Sequence, residues 1–351
     1  MVINVVDVFA GCGGLSYGFQ KAGFNIILGV DNDKDCAETF SRNHAGSQYL
    51  HMDIRDVSEE LIKRKLGQKE IAVLIGGPPC QGFSLSGKRV FMDPRNSLYL
   101  HFFNILDILA PKIAIIENVP GIKGLYGGEA FVSILKEFEK RGYSVSHKLL
   151  KADDYGVPQT RKRMFIVGSK YGKFEFPKPL QKKITLGEAV SDLPLLEDTN
   201  ESCNEYICPP QNEYQKLMRE KSARIHNHVT TNHTSQTKRI IRMVPEGKNY
   251  KSLPKELQNT RNVHIAWTRL DSSKPSLTID TGHRHHFHPK ANRVPTVREC
   301  ARIQSFPDNF IFFGSKTSQY RQVGNAVPPL LAFAVAKEIK RYLKYGPVQN
   351  S

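Results

Sequence analysis

Through its first 170 residues the chain alternates short apolar runs with amphipathic stretches, and that alternation constrains the fold more than any single motif. The runs at 2–9 (VINVVDVF), 24–31 (FNIILGVD), 71–76 (IAVLIG), 112–117 (KIAIIE), 143–150 (YSVSHKLL) and 163–168 (RMFIVG) have the length of strands. Helical patterns at 14–22, 33–43, 96–109 and 127–141 fill most of the intervals. Short buried strands separated by helices predict an α/β fold with a doubly wound, mostly parallel sheet. Ligands of such sheets bind at the carboxyl ends of the strands. From about 173 onward Pro, Asn, Thr and basic residues are interspersed and the alternation is lost, which predicts a smaller, loop-rich, separately packed region. Helical patterns return at 296–305 and 328–345. The expected organisation is one α/β domain over 1–174, an insertion over 175–292, and C-terminal helices over 293–351 that complete the first domain.

The insertion is basic. The whole chain carries 50 Lys and Arg against 34 Asp and Glu, and residues 221–295 alone hold fourteen of the former against Glu246, Glu256, Asp271 and Asp280. Such a balance suits a polyanionic partner, because neutralising phosphates releases counterions; a solvated basic surface is the plainer reading of any one patch. No apolar stretch approaches the roughly 20 residues of a membrane span, and the N-terminus lacks the basic start and cleavage site of a signal peptide. An intracellular protein with no membrane partner is expected. Six scattered cysteines without a C-x-x-C pair fit reduced thiols.

"VVDVFAGCGGLSYGF" reads as strand, glycine turn and helix. Gly11, Gly13 and Gly14 allow a sharp turn and close approach of a ligand to unpaired N–H groups at the helix start. Asp31 ends the next strand, where a carboxylate can accept both hydroxyls of a ribose, and Asp53 and Ile54 follow the strand-like "QYLHM". A bare structural turn would look the same. The spacing is G-x-G-G and not G-x-G-x-x-G, which favours an adenosyl ligand over a dinucleotide. A near P-loop, "GFSLSGKR", has Arg89 where Ser or Thr must hold magnesium, which argues against nucleotide hydrolysis.

Cys80 follows the fourth strand in "GGPPCQGFS", on a backbone restricted by Pro78 and Pro79. A free cysteine is ordinarily a small buried hydrophobe, but the flanking Gly76-Gly77 and Gln81-Gly82 make a poor core position. One strand later "IAIIENVPG" sets Glu117 at a strand end, either as an exposed terminus or as a partly desolvated carboxyl. "QTRKRMFIVG" brings Arg161 and Arg163 to the start of another strand, facing the same edge or a phosphate.

With "FAGCGG" (9–14), "VDND" (30–33), "DI" (53–54), "GGPPCQGFS" (76–84), "ENV" (117–119), "QTRKRMFIVG" (159–168), "RECARIQSFPDNF" (298–310) and "QVGNAVPP" (322–329) in this order, the chain resembles the cytosine-C5 DNA methyltransferase family of the bacterial restriction–modification type. The resemblance implies an S-adenosylmethionine-dependent methyltransferase fold, with the insertion as a target recognition domain. It implies that Cys80 adds to C6 of a flipped cytosine, that Glu117 hydrogen-bonds N3 and the exocyclic amine, and that Arg163, with Arg161 beside it, supports the base carbonyl and the glutamate. Cytosine cannot meet a thiol inside a duplex, hence the flipping. The cofactor would be held by Phe9, Gly11, Gly13, Gly14, Asp31, Asp53, Ile54, Pro78 and Asn325, and would leave as S-adenosylhomocysteine; Asp31 stands where many members have Glu. Residues 83–97 have the composition of a lid that closes over DNA, with Ser86, Lys88 and Arg89 against the duplex.

In the insertion, Arg239, Arg242, Arg261, Arg269 and Arg284 are the candidates for DNA contact, by base edge or by phosphate. Cys203 and Cys208 with His226 and His228 depart from zinc-ligand spacing, and no metal is expected. Duplex DNA is the expected partner, with a cognate restriction endonuclease that forms no stable complex. A monomer is expected in the bacterial cytoplasm, on the nucleoid when acting. Transfer-RNA cytosine methyltransferases are the competing class, but their Cys-Phe-Thr segment is missing; a silent DNA-binding relative would have lost Cys80 or Glu117.

Overall fold

The computed structural model describes residues 2–79, 98–197, 200–258, 267–282 and 285–346. They divide into two compact units: Met1–Lys151 with Lys162–Pro179 and Pro329–Ser351, and Ala152–Arg161 with Leu180–Pro328. This grouping begins the C-terminal return to the first unit at Pro329, whereas the sequence pattern suggested 293.

In the first unit, strands β1 (Asn4–Val8), β2 (Asn25–Asp31), β3 (Gln48–His51), β4 (Val73–Gly76), β5 (Ile113–Asn118), β6 (Ser144–Lys151) and β7 (Lys162–Ser169) form one sheet. Their order is β3-β2-β1-β4-β5-β7-β6. β1 to β5 pair in parallel, and β7 is antiparallel to both of its neighbours. The chain moves outward from β1 to β3 and then returns to lay β4 on the other side of β1, so the loops leaving β1 and β4 diverge. That divergence opens a crevice at the carboxyl ends of the strands. β4 and β5 are buried along their whole length, which is why they read as unbroken apolar runs and not as alternating ones.

Helices α1 (Gly14–Lys21), α2 (Lys34–Asn43), α3 (Glu59–Leu66), α4 (Leu98–Leu109) and α5 (Glu129–Lys140) cross between the strands. Asp33 starts α2 by accepting from the N–H groups of Asp35 and Cys36, and Ser58 starts α3 through Leu61 N–H. One core runs from Val6 and Val8 through Leu28, Val30 and Leu74 to Phe102, Phe103 and Phe138. Phe103 meets Phe138 edge-on at 4.9 Å between centroids, a favoured aromatic geometry.

The second unit is loop-rich as expected, yet it contains more helix than the sequence pattern revealed. It holds α6 (Leu186–Val190), α7 (Glu213–Arg219), α8 (Ser235–Met243), α9 (Lys255–Gln258), the strand pair β8 (Thr268–Arg269) and β9 (His286–Phe287), α10 (Val297–Ile303) and α11 (Lys316–Asn325). The helices are short and depend on their caps. Thr185 and Thr296 each form a capping box, with Glu188 and Glu299.

Buried arginines stand there beside apolar side chains such as Phe306, Phe310 and Phe312. Arg302 binds Asp308 at 2.6 Å and Asp192 at 3.1 Å, Arg293 binds Glu299 at 2.8 Å, and Arg298 donates to the carbonyls of His226, Pro307 and Phe310. Burial alone would raise the pKa of Glu299, but Arg293 holds that carboxyl below the ordinary range. These partners, with buried Val297, Ile303 and Phe306, bind residues 293–328 into the second unit.

The chain returns to the first unit with α12 (Pro329–Tyr345), which packs on α1. Gly18 makes that contact possible, since a Cβ there would collide with Ala332 and the backbone around it. Lys340 closes the end of α1 by donating to Ala22 O at 2.8 Å. No described helix is long and apolar enough to cross a membrane.

Candidate active site

The carboxyl edge of the parallel strands gathers Glu117, Arg163 and eight of the nine residues that the resemblance assigns to the cofactor. After β1 the chain turns at Phe9, whose φ of 61° lies in the left-handed region that side chains other than glycine rarely adopt. Gly11 and Gly13 follow at φ 53° and 90°, and α1 begins at Gly14. Gly13 is required twice over, because a Cβ there would also strike the rings of His44 and Phe40. At Gly11 nothing lies within 4 Å of where a Cβ would stand, so the turn borders open space.

Asp31, at the end of β2, holds this turn in place. One carboxylate oxygen accepts from Gly11 N–H at 2.9 Å and the other from Asp33 N–H at 3.0 Å. Each oxygen keeps acceptor capacity beyond that single bond. Burial raises the Asp31 pKa, against the hydrogen bonds that lower it.

Beyond β3, Asp53 caps the turn Ile54–Asp56 and pairs with Arg55 at 2.8 Å. The Arg55 hydrogen bond holds its pKa down at about 2. Ile54 is buried beside it.

Past β4 the chain reaches Gly77 and Pro78, and past β5 it reaches Glu117 and Asn118. Because β7 runs antiparallel to β5, its first residues lie beside β5's last ones, with Asn118 opposite Met164 and Glu117 opposite Phe165. Arg163 is thereby delivered to Glu117: its Nε lies 2.8 Å from Oε1, with both side chains about nine-tenths buried. Burial pulls the guanidinium pKa down and Glu117 opposes the shift. Nearly desolvated ion pairs persist where geometry is good; this one sets a carboxyl in a fixed orientation at the crevice edge.

Two contributors had no role assigned from the sequence, although Asn118 stood beside Glu117 at the strand end. Asn118 donates to Pro78 O at 3.0 Å and accepts from Val119 N–H at 2.8 Å, tying the end of β5 to the proline pair that precedes Cys80. Asp7, inside β1, accepts from Ser16 Oγ at 2.6 Å beneath the glycine turn. Burial raises its pKa to about 8. The signal for Asp7 was an acid within an otherwise apolar strand.

The two strand-start arginines part company. Arg161 belongs to the second unit, is 1% exposed, and donates to Ile279 O at 3.0 Å and Gly324 O at 2.6 Å. It braces main chain there, while the guanidinium paired with Glu117 is that of Arg163. Cys80, Ser86, Lys88 and Arg89 lie outside the described residues.

A family model for C-5 cytosine-specific DNA methylases matches residues 3–341. The chain belongs to that family. It is a DNA (cytosine-5-)-methyltransferase. Among similar proteins are the type II methyltransferases M.DdeI of Desulfomicrobium norvegicum, 37% identical over 97% of this chain and 89% of the relative, and M1.HphI of Haemophilus parahaemolyticus, 36% identical over 97% and 87%. A crystal structure described as a DNA modification methyltransferase encoded within an E. coli prophage matches with a TM-score of 0.83 and 28% identity, over 97% of this chain and 99% of that one. The S. pombe Dnmt2 methyltransferase, at 0.59 and 19%, shares the fold.

In the methyltransferase's second unit, Arg239 and Arg242 stand exposed on α8. Arg269, expected at the DNA, is instead buried, with its guanidinium on main-chain carbonyls. Asn325 is the exposed last residue of α11, and Arg261 and Arg284 lie outside the described residues. The Cys203 and Cys208 thiols face the carbonyls of Glu205 and Asp192, and both ring nitrogens of His228 are engaged by Thr296 and Pro194.

Proposed function

We propose that this methyltransferase transfers a methyl group from S-adenosylmethionine to C5 of a cytosine flipped out of a specific duplex sequence, through a covalent bond between Cys80 and C6. The observation that carries the reading is the Glu117–Arg163 pair at the same sheet edge as the glycine turn. The first unit is read as the catalytic domain and the second as the target recognition domain. Since the named relatives are type II methyltransferases, protection of host DNA within a restriction–modification system is the biological role proposed.

The residues fit the cofactor on the chemistry of the crevice. A turn bordered by open space at Gly11, a carboxylate at Asp31 with spare acceptor capacity for ribose hydroxyls, and a second acid at Asp53 suit an adenosyl ligand that bears a positive sulfonium. Phe9, Gly13, Gly14, Ile54 and Pro78 complete this set. The bound cofactor supplies an electrophilic methyl group.

Cytosine C5 is a poor nucleophile until electrons enter the ring. The Cys80 thiolate forms a bond to C6 and the displaced electron pair makes C5 enamine-like; an ordinary thiol has a pKa near 8.5, so the site must favour the thiolate. Glu117 meets N3 and the exocyclic amine as charge develops there, and Arg163 holds Glu117 in register while facing the base carbonyl. Loss of the C5 proton then returns its bonding pair to the ring and expels the thiolate.

The protein and its Cys80→Ala variant should be incubated with labelled S-adenosylmethionine, unmethylated genomic DNA and bulk transfer RNA, and the products digested to nucleosides. Label in 5-methyldeoxycytidine that depends on Cys80 is the expected result. Label confined to RNA 5-methylcytidine, or label in DNA without Cys80, would overturn the reading.

A further inference from the structure

Arg269 is a heavily engaged side chain of the second unit. Its Nε donates to Val244 O at 2.7 Å, and Nη2 to Ile241 O at 2.6 Å and Asn292 Oδ1 at 3.0 Å. Nη1 faces the carbonyls of His288, Pro289 and Ala291 at 3.2–3.3 Å. The first group of carbonyls belongs to the end of α8 and the second to the loop 288–292. Within that loop the His288 ring accepts the N–H groups of Lys290 and Ala291 through Nδ1. One planar guanidinium therefore fixes the end of a helix against a loop whose amides are already held, a task that needs the five-donor fork of arginine and is beyond a lysine.

The two segments so joined display cations outward. On α8, Ile240 and Ile241 face the small core with Val244, Leu253 and Phe287. Arg239 and Arg242, three residues apart and so on one face, are exposed. Lys290 is exposed on the loop. Among the described residues none of the three is ion-paired. Glu246, the acid nearest to α8 in the chain, is occupied by Ser272 N–H. Unpaired cations on a rigid frame match the regularly spaced phosphates of a duplex, whereas solvated surface charges need no such frame.

We propose that Arg239, Arg242 and Lys290 form a phosphate-binding surface of the second unit, and that Arg269 is its positioning residue, acting on DNA through the segments it joins. This rests on the reading that the protein acts on duplex DNA. Phosphate contacts are independent of sequence, so the test uses a random-sequence duplex, with affinity measured by anisotropy across a range of salt. Removing one cation that neutralises a phosphate should reduce the salt slope by about 0.9. Arg239→Ala with Arg242→Ala should thus flatten it by roughly 1.8, and Lys290→Ala by about half as much.

Arg269→Lys, which keeps the charge, should flatten the slope at least as far as the double variant, with S-adenosylmethionine affinity unchanged. Combined with that double variant it should add only the share that Lys290 carries. If Arg269→Lys lowers the melting temperature but keeps the wild-type slope, the residue only stabilises the unit and the proposal fails. A wild-type slope in the Arg239→Ala, Arg242→Ala protein, which retains the whole Arg269 frame, would remove α8 from the surface. An unaltered protein with no salt-dependent duplex binding would defeat the DNA reading itself, and this inference with it.

Discussion

Asn118 offers the sharpest test of how the scaffold serves the chemistry. Its amide bonds Pro78 O at 3.0 Å, two residues before Cys80, and its own carbonyl accepts from Val119 N–H. The side chain is 5% exposed, so water cannot readily replace either bond. A buried hydrogen bond contributes about 0.5–1.5 kcal/mol net, which puts the pair at about 1–3 kcal/mol. If that energy holds the Gly77–Pro79 turn in its reactive arrangement, Asn118→Ala should lower the single-turnover rate between about 5- and 150-fold, at about 1.4 kcal/mol per decade. Asn118→Asp should be at least as impaired, because a carboxylate can accept from Val119 N–H but cannot donate to Pro78 O. Affinity for S-adenosylmethionine, measured by calorimetry, should stay within about twofold in both. A variant that loses 1–3 kcal/mol of stability while keeping its rate would show that Asn118 merely packs, and would refute the positioning argument.

Asp31→Ala removes both the acceptor of Gly11 N–H and the proposed ribose contact, so cofactor affinity should fall at least tenfold by calorimetry; an unchanged affinity would detach Asp31 from the cofactor. Asp7, with a pKa raised by burial from 3.8 to about 8, keeps in the folded state a proton that the unfolded chain releases. Its contribution is therefore fully present below about pH 4 and declines as pH rises towards 8, by up to about 1.4 kcal/mol per unit. Asp7→Asn, which can still accept from Ser16, should gain stability over the parent at pH 8 relative to pH 5 in denaturant titrations, and an equal difference at both pH values would sink the assignment. Arg302→Met leaves Asp192 to Arg219 and Asp308 to Arg298 and the Tyr206 hydroxyl, so it should cost less than the roughly 3–5 kcal/mol of an uncompensated buried charge but more than about 1 kcal/mol, read from the same titrations; a loss below about 1 kcal/mol would mean that the network is relayed elsewhere.

Much of the catalytic fold was legible because its strands are buried on both faces, and "VLIG" or "IAIIEN" then has one reading. β3 was legible only as the strand-like run before Asp53, and α3 was missed, for the complementary reason. β3 is four residues of mixed exposure at the sheet edge, and α3 buries only Ile62 and Leu66, too little periodicity to register. Asp31, Asp53 and Glu117 were findable because strand ends follow from strand runs. Arg269 was misread because a count of charges cannot tell an arginine in solvent from one that satisfies the carbonyls of an irregular chain. In a loop-rich unit those carbonyls have few ladder partners, and the demand for buried donors is high. Arginines in such regions carry less evidence for nucleic acid than their number suggests.

The pair Arg161 and Arg163 shows how a two-residue interval can separate stability from chemistry. In one continuous strand both side chains would share a face, and the sequence alone leaves both at the same edge or on a phosphate. The ladder between β6 and β7 ends, however, at Lys151 and Lys162, and Ala152 N–H donates to Arg161 O to close the excursion between them. Arg163 therefore inherits the strand geometry that delivers it to Glu117, while Arg161 has left the strand and turns its guanidinium to Ile279 O and Gly324 O. Both are buried, so loss of either lowers stability. Loss of Arg163 also removes a guanidinium paired with the Glu117 carboxyl, and the ratio of rate loss to stability loss should be far larger there than at Arg161.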